Sequence, residues 1–343
     1  MSASSLCGDI SPVLNTKKLA SELKQYQHAN IWRALFEILV TVLPLFALVI
    51  LAISSLDAGY WIALLLVLPA SGFLVRLFIL QHDCGHQALF AEKWQNDWVG
   101  RVLGIFTFTP YDYWLHNHAL HHAGCGNLEH RGVGDIDTLT VDEYLELTAF
   151  RKLIYKLYRN PVTLFLIGPA YMFLLQQRVP ATMMTRGWKP WVSTQGTNIG
   201  ILVLTAAIIW YGGLIGFFAV WLPVVLIAGA IGVWLFFVQH QFEETIWDHP
   251  PHWSRTDSAL YGSSHYDLPP VLRWFSGNIG IHHVHHLNSR IPFYRLPQIL
   301  RDYPELVNIN RINMIESLST VRLTLWDENK RKLIGFSDLA AVG

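Results

Sequence analysis

Cysteine is scarce in this sequence. Cys7, Cys84 and Cys125 are odd in number, widely spaced, and form no CxxC pair. That argues against a disulfide framework, a thiolate metal site and a cysteine-held iron–sulfur cluster. Charge is scarce too. Asp, Glu, Lys and Arg make up 15% of the 343 residues, against about 25% in an ordinary soluble domain. The formal net charge is zero, so no broad basic surface exists to bind nucleic acid. A GxGxxG fingerprint is absent and no haem-binding module is visible, so no bound haem, flavin or NAD is expected. The first thirty residues contain no apolar signal-peptide core, which leaves targeting to later segments.

Apolar sequence is plentiful. Hydrophobic residues reach 52%, with fourteen tryptophans and thirteen tyrosines, as expected of a protein with two membrane–water boundaries. Apolar runs at 34–54, 60–80, 198–217 and 218–239 each have about twenty residues, enough to cross roughly 30 Å of hydrocarbon. They predict an all-α integral membrane protein with four transmembrane helices in two hairpins, the second turning near 211–213. Glu37 is expected at the interface or packed internally, and Arg76 is placed to snorkel. Residues 98–110 and 162–175 are apolar but short and interrupted. They are expected to be interfacial or re-entrant.

The outer loops near 55–59 and 211–217 contain no Lys or Arg, whereas the stretch 81–196 contains ten. The positive-inside rule then puts both termini and the centre in the cytoplasm. Residues 1–33 are expected to form a cytoplasmic arm, 34–300 the membrane domain, and 301–343 a cytoplasmic tail with a polar helix or two. A crossing at 162–175 would put the last histidines on the opposite side from the rest.

Those histidines fall in three clusters. His82 and His86 follow the second run. His116, His118, His121 and His122 follow residues 98–110. His282, His283, His285 and His286 lie in GNIGIHHVHHLNSR. Residues three and four apart share one side of a helix, so two such clusters can enclose a common centre. Eight imidazoles are more than one tetrahedral ion needs, and they suit two metal ions. By ligand type alone Fe, Zn, Cu or Ni would serve.

HDCGH at 82–86, HALHH at 118–122 and HHVHH at 282–286, with FVQHQFE at 237–243 and GNIGIHHVHHLNSRIPFYRL at 277–296, resemble the membrane fatty-acyl desaturases, especially the bacterial and plastid acyl-lipid type. The resemblance spans about residues 35–300. It implies two iron ions and O₂ as co-substrate, removing two hydrogens from a membrane lipid acyl chain to leave a cis double bond. The implied ligands are His82, His86, His118, His121, His122, His282, His285 and His286. A ninth is His240, with His265 as its rival. His116 and His283 are extra histidines, expected to support ligands or to ligate. Asp83 and Asn278 are further supporting candidates.

Regiochemistry requires an apolar tunnel that holds the chain over the metals. Trp98, Phe106, Phe108, Tyr111, Trp114 and Trp274 are candidates to line it. The acidic stretch 134–144 could lie over the site. With no electron-transfer module in the chain, a separate donor is expected, which the resemblance suggests is ferredoxin, docking on Lys and Arg near 151–159. The bacterial inner membrane, or the stromal or cytoplasmic side of a plastid or cyanobacterial membrane, would be the location. A related lipid or carotenoid hydroxylase or ketolase would use the same boxes. A histidine-rich metal transporter or scaffold is the non-enzymatic alternative.

Overall fold

A computed structural model describes residues 14–132, 134–180 and 187–341. Cys7 lies outside them. Helices dominate: α1 Thr16–Glu22, α2 Ile31–Ser54, α3 Tyr60–Gly85, α4 Lys93–Phe106, α5 Tyr111–Gly124, α6 Val141–Glu146, α7 Ala149–Tyr158, α8 Gly168–Leu174, α9 Lys189–Gly216, α10 Leu222–His240, α11 Arg255–Tyr261, α12 Pro270–Phe275, α13 His282–Leu287, α14 Leu296–Asp302 and α15 Met314–Ser317. Among the described residues, three continuous helical elements are long and apolar enough to cross a membrane: α2, α3, and a third running from Lys189 to His240.

Local chemistry explains the first pair. The Asn30 side chain accepts from Arg33 N–H and starts α2, as an N-cap does. Gly59, at φ 142°, turns the chain into α3, a conformation that glycine adopts without a Cβ clash. Small buried residues, Ala52, Ala63 and Ala70, belong to the core of the membrane part. Arg76 does not snorkel. It is buried, pairs with buried Glu37, donates to the Trp274 carbonyl and stacks over the Trp274 ring. Paired charge and a cation–π contact offset the cost of desolvating it.

Helix α3 continues past the apolar run to Gly85, so His82 stands in its last turn and His86 caps it. Helix α4 starts five residues before the predicted interfacial segment, and the chain leaves regular helix at Phe106. Over 162–175 a π-helical turn, Thr163–Ile167, leads into seven-residue α8, which packs on α10 through Phe173 against Gly229. The third long element starts nine residues earlier than predicted. Its regular backbone breaks at Gly213, φ 66° and ψ −176°.

The tail holds the short helix α15 and more besides. It carries short strands β3 Arg311–Asn313, β4 Leu325–Asp327 and β5 Lys332–Ile334, which pair with β1 Leu139–Thr140 and β2 His265–Asp267 from earlier in the chain. β4 pairs parallel with β1 and antiparallel with β5, while β2 pairs parallel with β3. Three-residue strands give almost no period-2 pattern to read. Leu19 and Leu23 of the N-terminal arm bury themselves among Leu260, Val284, Ile299 and Leu306. Arm, third histidine cluster and tail therefore share one apolar core.

Candidate metal centre

Nine imidazoles converge where α3, α5, α10 and α13 end or begin. His82, His86, His118, His122 and His285 form one group. His121, His240, His282 and His286 form another, and within each group the potential ligand atoms lie within 4.8 Å of one another. In the first, His118 Nε2 stands 3.0 Å from His82 Nε2, 2.9 Å from His86 Nε2 and 3.1 Å from His122 Nε2, while His285 Nε2 stands 3.2 Å from His122 Nε2. In the second, His240 and His282 approach to 2.9 Å, and His121 and His286 to 3.3 Å, again through Nε2. The groups adjoin, since the His122 ring stacks on the His286 ring at 4.1 Å.

The donor sets fit metal ions. A neutral imidazole has one N–H and one lone pair. His118 Nε2 faces three other Nε2 atoms, and one proton cannot satisfy all those contacts. A shared cation can. Nitrogens about 2.1 Å from an ion and at right angles to one another would stand about 3 Å apart, which is the spacing seen. Burial, reinforced by neighbouring imidazoles, holds His118, His122, His282, His285 and His286 well below the usual histidine range. They are neutral at pH 7, as ligation requires.

The supporting candidates divide. Asp83 is buried. Its Oδ2 accepts from Phe293 N–H at 2.8 Å, and its Oδ1 stands 3.6 Å from His82 Nδ1. Asn278 occupies a left-handed turn at φ 57° and donates to the Phe293 carbonyl. His265 and His283 stand outside both groups. Their rings lie 5.6 Å apart, and they meet the backbone carbonyls of Val307 and Leu306 at 2.7 and 2.9 Å. His116 also stands outside, with a buried Nε2 that has no hydrogen-bond partner among the described residues. Among residues not singled out from sequence, Cys125 Sγ lies 3.8 Å from His240 Nδ1. Cys84 and Cys125 are both buried and form no disulfide among the described residues.

A narrow cavity of about 80 Å³ reaches His82, His118 and His282. Its wall includes Leu74, Phe78, Phe173, Val225, Gly229 and Gly232. None of the six aromatic residues proposed from sequence lines it. Trp114 instead stacks on His118 at 4.6 Å, and Tyr111 donates to the Cys84 carbonyl. Phe108 is buried and turns the chain at φ 57°. Phe106 packs on Phe46, and Trp274 on Phe73 and Arg76. Trp98 borders a different cavity. The small-residue run AGAIG at 228–232 leaves space inside an apolar helix and supplies Ala228, Gly229 and Gly232 to this wall. Arg159 is not a surface cation. It is buried, and its guanidinium binds Thr138, Gln241 and the Leu323 carbonyl.

Membrane-length helices, one buried and one partly buried imidazole group, and an apolar cavity opening on both fit a multi-pass membrane metalloenzyme. The model of the fatty acid desaturase family matches residues 58–316. A fatty acid desaturase of Bacillus subtilis (strain 168) is 41% identical over 320 residues, 93% of this chain and 90% of the relative. An sn-1 oleoyl-lipid 12-desaturase of Arthrospira platensis is 24% identical over 65% of this chain and 63% of its own length. An sn-1 acyl-lipid omega-3 desaturase (ferredoxin) of Nostoc sp. (strain 36) is 25% identical over 78% and 74%. The chain belongs to the fatty acid desaturase family, and its activity is the O₂-dependent desaturation of fatty acyl chains.

Proposed function

We propose that the protein inserts a cis double bond into acyl chains of membrane lipids, with two irons held by the nine histidines of the two groups. The observation that carries this is the apolar cavity whose wall includes His82 and His118 of one group and His282 of the other. A hydrocarbon chain in it lies against both groups at once. Two irons, when bound, supply the oxidising power that removes two hydrogens from neighbouring methylenes at the expense of O₂ and external electrons. The chain's own residues do the rest. Leu74, Phe78, Val225 and Phe173 exclude water and hold the alkyl chain in register. The nine imidazoles of the two groups would present their lone pairs to the ions.

The same reading takes the third long element as two crossings, four in all. A straight helix of 52 residues would run about 78 Å, over twice the hydrocarbon thickness. The break at Gly213 lies beside Tyr211, whose hydroxyl meets Ser54 at the far end of α2. Ser193 near the start of α9 bonds Asp112 of α5, and His240 at the end of α10 meets His282. Start and end thus lie on the histidine side, with Gly213 away from it. By the charge count that side is the cytoplasm, and residues 1–33 and 301–343 flank the 34–300 membrane domain there. A ferredoxin-like donor, of the kind named for the Nostoc relative, would supply electrons, with Arg151, Lys152 and Lys156 available for contact and Arg159 not.

The test is lipid analysis of cells with and without the protein. New unsaturated acyl chains, requiring O₂, are expected. A hydroxyl or keto group without added unsaturation would favour the hydroxylase reading, and altered cell metal with unchanged lipids would favour transport.

A further inference from the structure

The two imidazole groups are unequal, five nitrogens against four. Their carboxylate neighbours are unequal in the opposite sense. Beside the five, Asp83 Oδ1 stands 3.6 Å from His82 Nδ1. Beside the four, Asp135 Oδ1 stands 2.9 Å from His121 Nδ1. Among the described residues, no other carboxylate comes within 4 Å of any of the nine imidazoles.

The loop carrying Asp135 is built to reach α5. Gly134 adopts φ +71°, and a Cβ there would lie 2.9 Å from the Asn117 carbonyl oxygen and 3.4 Å from His121 Cβ. A glycine passes where a side chain could not. Both flanks of the loop are pinned. Arg131 holds Glu143 through two hydrogen bonds of 2.9 and 2.5 Å and also binds the Thr138 carbonyl. Arg159 binds Thr138 Oγ1 and the Asp137 carbonyl.

We propose that Asp135 is the positioning residue of the four-histidine group. Its carboxylate stands 2.9 Å from His121 Nδ1, out of line with that N–H, and a small rotation of ring or carboxylate would let it accept the Nδ1 proton. That fixes the tautomer with the Nε2 lone pair turned toward His286, 3.3 Å away. It also makes His121 a stronger donor, as a carboxylate behind a ligand histidine does. Charge behind the ring offsets the absent fifth nitrogen. The inference rests on the metal-ligand assignment of the preceding section.

The test uses the full chain in mild detergent and measures iron per chain and the rate of iron loss to a chelator. Asp135→Ala should lose one of the two irons about 10–100-fold faster than wild type, giving two-phase release. Asp135→Asn, of the same shape but without the charge, should fall between the two, and it decides the matter if the alanine variant misfolds. Asp137→Asn is the loop control, because that carboxylate touches none of the nine imidazoles. It should release iron at the wild-type rate. Wild-type release from both Asp135 variants would overturn the proposal, as would equal acceleration by Asp137→Asn, which would mark a general loosening of the loop. Wild-type protein purified without iron would instead overturn the ligand assignment beneath it.

Discussion

Helix α5 separates two cavities of opposite character. On one side lies the narrow cavity of about 80 Å³, apolar except where His82, His118, Thr107, Gln239 and His282 reach its wall. On the other lies a cavity of about 1160 Å³, bordered by Trp98, His116 and Lys189 and by the Arg101–Asp112 ion pair. The helix sorts its own side chains between them. Trp114 and His118 face the metal side, while Leu115, His116 and Ala119 face the large cavity. Size therefore does not mark the chemistry here. A saturated chain offers no polar handle, so only close apolar walls can hold one methylene against the oxidant. The larger space has the polar atoms and lacks the nine imidazoles.

The largest effect should follow from removing a nitrogen on the metal side. His285→Ala takes one from the five-membered group and His286→Ala one from the four. Each should abolish double-bond formation and cost up to one iron per chain. Membrane insertion should persist, since both residues follow the last apolar run. Iron content and lipid unsaturation measured on the same membranes check this, and full unsaturation by either variant defeats the ligand assignment.

Next comes the pair of rivals for the ninth position. His240 sits in the four-membered group, whereas His265 meets a backbone carbonyl beside His283. His240→Ala should lose nearly all activity and keep at most one iron. His265→Ala should keep both irons and a measurable rate, with stability lower by about 1–3 kcal/mol for the carbonyl left unpaired. Reversed iron contents would make His265 the ligand.

A smaller effect is expected from narrowing the apolar cavity. A Cβ at Gly232 meets nothing within 4 Å, so the Phe side chain of Gly232→Phe has room to enter. It should cut the rate about 10–100-fold, the cost of displacing the reacting carbon by roughly 1 Å, or move the double bond along the chain, with iron unchanged. Product analysis by position decides it. Unaltered rate and product together would show that the substrate lies elsewhere.

How much of this was legible in the sequence depends on range. The histidine boxes were readable because i, i+3 and i, i+4 spacing on a helix is local. The apolar runs of α2 and α3 were readable because length and composition alone report them. Arg76 was misjudged because its partners, Glu37 and Trp274, lie 39 and 198 residues away. Arg159 was misjudged for the same reason, since Gln241 and Leu323 are distant in sequence. Prominent aromatic residues are easy to pick as tunnel candidates, whereas the cavity that reaches the histidines forms where side chains such as Gly229 and Gly232 are small. Asp135 lay in an acidic stretch with nothing to distinguish it from Asp137. Only the approach of Gly134 to α5 separates them.

The smallest effect should come from the large cavity. His116 lies in the second histidine cluster, and from spacing alone it could be a ligand or a support. Its Nε2 is buried, has no hydrogen-bond partner among the described residues and belongs to neither imidazole group. His116→Ala removes that polar atom, so it forfeits no hydrogen bond to the described residues and sheds a desolvation cost. Iron content should stay at the wild-type value. The rate should stay within about twofold, equivalent to under roughly 0.5 kcal/mol. Thermal stability should be unchanged or slightly higher. Loss of an iron in this variant would make His116 a tenth ligand. A large rate loss with both irons in place would mean that the two sides of α5 are coupled, and that the substrate or its headgroup reaches the wider cavity as well.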